Sequence, residues 1–171
     1  MAVISSSRPC GRPQRRRGRT LDRRAFLAAL VAAPLPVAQA GSSLADRVAR
    51  RYRVAPVAAA LVVGTAREVF PEDPVLLVAL ACVESSLRPF AVGMAGEIGL
   101  TQVRPELHGL EPAALIEPRG SLEAGARILR QCVKRAGGDV ARGLAFYNGA
   151  GEMAERYAAR VLTEKQRLMK L

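Results

Sequence analysis

Nine consecutive apolar residues, Val75 to Val83, run straight into a carboxylate, Glu84. A segment with no polar face has no side to offer water, so it belongs at the centre of a core. Asp73-Pro74 stands just before it, a pair suited to the cap and the first turn of a helix. By periodicity alone a buried strand of this length stays open. On the helical reading Glu84 emerges from an apolar surround, where desolvation disfavours its charged form and raises its pKa. A general acid working near neutral pH needs such a carboxyl. The plainer reading is a helix-end glutamate that points at water.

The residues beyond Glu84 bear on that choice. Pro89 ends the expected helix, and a loop with Gly93, Gly96 and Gly99 leads to Leu100-Thr101-Gln102. Further on stands Ala145-Phe146-Tyr147-Asn148-Gly149. Together these resemble the three motifs of the soluble lytic transglycosylases of the lysozyme superfamily. Those motifs are a Glu-Ser pair, a Gly-Leu-Met-Gln segment and an Ala-(aromatic)-Tyr-Asn segment, in that order. Here they read Glu84-Ser85, Gly99-Leu100-Thr101-Gln102 and Ala145-Phe146-Tyr147-Asn148. The resemblance spans residues 61–161, with eighteen positions between Glu84 and Gln102. It includes Ser121 to Leu129, similar to the family's helix between the second and third motifs. Each motif alone is weak; three in order are specific.

The resemblance implies an all-α, lysozyme-like single domain of six to seven helices with a substrate cleft. It implies cleavage of the bond from N-acetylmuramic acid to N-acetylglucosamine in peptidoglycan, closing a 1,6-anhydro ring. Glu84 would be the catalytic acid and then base, and Ser85, Gln102, Tyr147 and Asn148 the substrate-binding residues. Taken singly, Gln102 reads as a surface residue, Tyr147 as half-buried core, Ser85 as a helix-end hydroxyl and Asn148-Gly149 as a turn. No cofactor and no metal are implied, and the protein is expected to be a monomer acting on glycan strands. Two positions depart from the pattern. Thr101 replaces the usual methionine, which is expected to remove apolar contact area from the cleft. Gly93 stands where many members have a serine. The chain has no tryptophan, which leaves Phe90, Phe146 and Tyr147 as aromatic platforms near the motifs.

Two other functions compete. Glu97, thirteen residues after Glu84, could position a water, making the protein a hydrolytic lysozyme; the bland reading is a solvent-facing loop charge. The fold could also serve a non-catalytic accessory protein of a cell-wall-spanning secretion apparatus.

Residues 1–40 read as an export signal. Arg15-Arg16-Arg17, Arg19 and Arg23-Arg24 precede the uncharged stretch Ala25 to Ala38, and Ala38-Gln39-Ala40 offers a small-residue cleavage site. Thr20 to Leu27 resembles a twin-arginine signal; an ordinary secretory signal with incidental arginines is the alternative. The uncharged stretch is shorter than the ~20 residues of a spanning helix, so no stable membrane anchor is expected. A periplasmic or secreted protein is the expectation. This segment holds eight arginines and one aspartate, +7 of the total +11, leaving 18 basic and 14 acidic residues in the rest. The extreme basicity thus belongs to targeting. Nucleic-acid binding is not expected, since the remainder lacks a basic patch interleaved with aromatics. One histidine, His108, and no Cys-x-x-Cys give no metal-ligand spacing. Cys82 and Cys132 read either as a disulfide or as two buried thiols.

Residues 41–56 are expected to form an approach segment, flexible or with a short surface helix, and 57–171 the catalytic domain. Within it, helices are expected from Pro56 to Phe70, from Pro74 to about Leu87 and briefly at Leu100–Arg104. Residues 105–120 read as loop with one turn at 112–117. Ser121 is expected to cap the next helix, Asp139 the one after it to Tyr147, and a last helix covers Glu152 to Lys170. No strand is expected.

Overall fold

The computed structural model describes residues 43–149 and 151–170. The expected export signal, with its arginine pair and cleavage site, lies outside them. Among the described residues eight helices occur in order: α1 (Leu44–Tyr52), α2 (Pro56–Val69), α3 (Pro74–Ser85), α4 (Pro105–His108), α5 (Pro112–Ile116), α6 (Pro118–Arg135), α7 (Val140–Asn148) and α8 (Glu152–Lys170). Among the described residues the only extended pairings are the isolated bridges Val92–Ile98 and Ile98–Val103. The fold is all-α.

α3 is the axis of the core. Asp73 caps it by accepting from the Leu76 N–H at 3.1 Å, and Pro74 occupies the first turn. Every side chain from Leu76 to Cys82 is buried, as an apolar run without a polar face requires. Each fully buried leucine there contributes about 2 kcal/mol. α8 packs along α3 through Tyr157, Ala158, Val161 and Leu168, α2 and α6 close other sides, and α7 packs on α6 and α8.

Several boundaries differ from expectation. α3 ends at Ser85, two residues early, because Ser86 and Leu87 both adopt left-handed backbone (φ 53° and 61°) and reverse the chain. Residues 100–104 are a turn, not a helix; the Ile98–Val103 pairing uses the backbone groups a helix would need. A short helix forms instead at Pro105–His108, with proline in its first turn. α6 begins at Pro118, so Ser121 lies inside the helix and is no cap.

Residues 44–54 are part of the core. α1 is capped by Ser43 and buries Leu44, Val48 and Ala49 in the same cluster as α3. On its outer face Arg51 grips Glu164 of α8 at 2.5 and 2.9 Å, and Arg47 donates to the Leu168 carbonyl at 2.8 Å. Cys82 and Cys132 are both free thiols, so the bridged alternative does not hold. Cys82 shares a hydrogen bond with Tyr52, and burial pushes its thiol up to about 12. No helix among the described residues is long and apolar enough to cross a membrane.

Candidate active site

Glu84 sits on the last turn of α3, where the apolar helix meets the loop that carries Gln102. Burial dominates its environment and pushes its carboxyl from 4.5 up to about 7. The nearby Glu97 charge adds to that rise, whereas Tyr157 and the Arg160 charge oppose it. The Tyr157 hydroxyl donates to Glu84 Oε1 at 2.5 Å. In return burial and the carboxylate beside it hold that phenol well above its ordinary value. One oxygen of Glu84 is thus held from α8.

The chain around Glu84 is bent into sparsely populated conformations. Three of the four non-glycine residues with positive φ among the described residues are Ser86, Leu87 and Gln102. Each costs on the order of 1–3 kcal/mol, which surrounding contacts must offset. Leu87 is buried in the core, and Gln102 is held by its own side chain: Nε2 donates to the carbonyls of Ala91 (3.1 Å) and Gly99 (2.9 Å). Both amide hydrogens are therefore engaged in pinning the loop, leaving Oε1 as the group for another partner. Gly99 is fixed by sterics as well as by φ 81°. A Cβ there would lie 2.0 Å from the Leu115 carbonyl oxygen.

Ser85 is only 2% exposed, and its hydroxyl lies 3.1 Å from the Ala81 carbonyl and 2.9 Å from that of Leu100. It ties the end of α3 to the glutamine turn from inside, out of reach of solvent. Tyr147, on α7, donates to the Thr101 carbonyl at 2.8 Å, and burial and the Glu84 charge raise its pKa. Asn148 is exposed at the end of α7. The structure thus brings Glu84, Ser85, Gln102 and Tyr147 around one junction of α3, α7 and the 99–102 turn.

The two departures look different in three dimensions. Thr101 is fully buried, its Oγ1 donating to the Ser121 carbonyl at 2.7 Å while its backbone N–H donates to Ser121 Oγ at 3.1 Å. A Cβ on Gly125 would lie 2.7 Å from it, so the pair is matched in size. Thr101 packs the turn onto α6 and removes nothing from an open cleft, contrary to expectation. At Gly93, a Cβ would meet Glu97 Oε2 at 2.3 Å and Gln102 Oε1 at 3.0 Å. The space a side chain would take there is filled by the Glu97 carboxylate, which also accepts from the Ala95 N–H at 3.0 Å.

Among the aromatic candidates, Phe90 is 77% exposed on the loop after Glu84. Phe146 is covered by the guanidinium groups of Arg135 (4.6 Å) and Arg142 (5.7 Å), so it does not present a bare ring. The residue that sequence reasoning missed is Tyr157. It sits in the Ala-rich stretch of α8, where one aromatic among alanines reads as packing, and nothing local links it to a glutamate 73 positions earlier. No group of three or more His, Cys, Asp or Glu side chains among the described residues could hold a metal ion.

A family model, Transglycosylase SLT domain, matches residues 62–169. The match runs from α2 through α8 and takes in Glu84, the 99–102 turn, Tyr147 and Tyr157. No curated protein matches the chain. Because the match covers well over half of the sequence, the chain belongs to the transglycosylase SLT domain family, lysozyme-like in fold and of lytic transglycosylase type in its general activity on peptidoglycan.

Proposed function

We propose that the protein is a peptidoglycan lytic transglycosylase that works through Glu84 alone. The observation that carries this reading is a carboxyl at the end of an apolar helix, raised to about 7 and held by one neutral hydroxyl. At neutral pH about half of such groups hold a proton, so the same residue can give one and then take one. With Tyr157 on Oε1, Oε2 carries the transferable proton.

Protonated Glu84 gives that proton to the oxygen linking N-acetylmuramic acid to N-acetylglucosamine. The C1–O bond breaks, and N-acetylglucosamine leaves as the alcohol. The muramic acid's own N-acetyl oxygen stabilises the cationic C1. Glu84, now a carboxylate accepting from Tyr157, removes the proton from O6, and O6 bonds to C1. No water is consumed. Gln102 Oε1 accepts a sugar hydroxyl, Asn148 offers an amide at the rim, and Tyr147 presents its ring edge. Ser85 acts on Glu84 through the backbone. Glycan strands are the partner, no cofactor takes part, and the export signal over residues 1–40 carries the protein to the periplasm or beyond.

Mass spectrometry of digested peptidoglycan tests this. Fragments ending in 1,6-anhydromuramic acid, absent with Glu84→Gln, are expected. Glu97 gives one specific ground for a second reading, hydrolysis: its charge reaches Glu84, and a second carboxylate can position water. Reducing muramic ends that disappear in Glu97→Gln would favour that reaction.

A further inference from the structure

Glu97 and Gln102 meet over Gly93, and the side-chain atoms they present there are all acceptors. A Cβ on Gly93 would lie 2.3 Å from Glu97 Oε2 and 3.0 Å from Gln102 Oε1, so carboxylate and amide oxygen border the same point. The backbone fixes this meeting. The Gly93 N–H donates to the Glu97 carbonyl at 2.8 Å and the Gly96 N–H to the Gly93 carbonyl at 3.2 Å, closing a turn that lays the Glu97 side chain over Gly93. Gln102 is set from the other side. Its two amide hydrogens are engaged by the Ala91 and Gly99 carbonyls, so Oε1 is the atom it offers.

Glu97 is half-buried, and no lysine or arginine among the described residues pairs with it. Its Oε2 accepts one N–H, from Ala95 at 3.0 Å, and Oε1 accepts none. The Glu97 charge reaches Glu84. When Glu84 gives up its proton the site gains a second carboxylate, and Glu97 still has no counter-charge. The type of group that suits such a space follows from its donors. An acetamide brings one N–H and a carbonyl oxygen, which is a further acceptor among acceptors. A hydroxyl brings one donor. A primary ammonium brings three N–H donors and the missing positive charge, and its bonds to a carboxylate are charge-assisted.

We propose that Glu97 and Gln102 form a subsite for a protonated primary amine on a sugar ring, so that the enzyme prefers strands in which a glucosamine next to the cleaved muramic acid lacks its N-acetyl group. The inference rests on the transglycosylase reading. There the muramic acid keeps its own N-acetyl oxygen to stabilise C1, which leaves the neighbouring glucosamine to carry the amine. The ammonium donates to Glu97 Oε1 and Gln102 Oε1, and the second lone pair of Gln102 Oε1 still accepts a sugar hydroxyl. Hydrolysis of the acetamide is the class of reaction that must supply such a strand.

Two preparations of soluble strands test the subsite, one fully N-acetylated and one de-N-acetylated at glucosamine. Both carry the same stems, so any difference belongs to the sugar amine. Calorimetric binding to the Glu84→Gln protein, which leaves strands intact, is expected to be about tenfold tighter for the amine form, equal to about 1.4 kcal/mol, and high salt should narrow the gap. Anhydro ends should form with about tenfold higher kcat/KM from the amine form in the wild type. Glu97→Gln, which keeps an oxygen for the Ala95 N–H, should lose most of that preference. The wild-type comparison involves no change at Glu97, so misfolding of the variant cannot hide the answer. Equal binding of the two preparations would overturn the proposal, as would a preference that persists in Glu97→Gln. Anhydro ends formed equally from both would sink the amine subsite and leave the transglycosylase standing. An amine preference accompanied by reducing ends would sink the transglycosylase and leave the subsite.

Discussion

Two glutamates, Glu84 on α3 and Glu164 on α8, are both withdrawn from water, and their acidities move in opposite directions. Glu84 faces one tyrosine hydroxyl, and desolvation wins: its pKa rises to about 7. Burial pushes Glu164 up as well, but the Arg51 fork, Tyr52 and Arg167 together hold it below 4.5. Burial sets the stakes; the charge of the partner sets the sign. One carboxylate is made structural by an arginine, and the other is left reactive by the lack of one.

The largest expected effect separates the two at once. Glu84→Gln should cut strand cleavage by roughly 10³-fold, the range of general acid–base contributions, whereas Glu164→Gln should leave the turnover of folded protein near wild type. Stability should respond in the reverse sense. Glu84 is neutral in both folded and unfolded chains below 4.5. Above that the unfolded chain ionises first, so folding loses stability up to about pH 7. Glu84→Gln should therefore stabilise the protein at pH 8 by about 3 kcal/mol and leave it nearly unchanged at about pH 4, read by thermal melts. Glu164 contributes stability above 4.5 that is lost as pH falls through its lowered value.

Next in size is Arg51→Met, which leaves Glu164 with the weaker Arg167 contact. Breaking a fully buried pair costs about 3–5 kcal/mol, but the Arg51 side chain is 35% exposed, so about 2 kcal/mol is expected in denaturant melts. The pH profile of cleavage should not move. Tyr157→Phe should cost about tenfold in kcat through looser positioning of the carboxyl, and because the phenol lowers the Glu84 pKa, the alkaline limb should shift upward. Glu97→Gln should do least: removing a like charge moves that limb slightly down. A Tyr157→Phe profile shifted down instead would break the comparison.

The reactive half of this contrast was largely legible in the sequence, and the structural half was not. Nine apolar residues behind Asp73-Pro74 and ending in Glu84 pointed to a buried helix, and the motifs that follow turned Glu84 from a water-facing residue into a desolvated acid. Gln102 and Tyr147 were reachable through their motifs. The Arg51–Glu164 fork joins residues 113 positions apart, and neither segment carries a local sign of the other. α1 was hidden for a related reason: its polar, arginine-rich sequence reads as surface, and Leu44, Val48 and Ala49 declare a core only once α8 lies opposite. Thr101 misled because its environment is made by an absent side chain, that of Gly125, on another helix. The prolines at 105, 112 and 118 did carry the starts of α4, α5 and α6, but in a glycine-bearing stretch they read as loop.

Acid and base roles for one carboxyl require Glu84 to be partly protonated at neutral pH. Carbon-13 NMR of its side-chain carboxyl carbon, assigned by comparison with Glu84→Gln, measures that directly across a pH titration. A midpoint about 7 is the predicted result. A midpoint at the ordinary 4.5 would contradict it, because a fully ionised Glu84 has no proton to give at neutral pH.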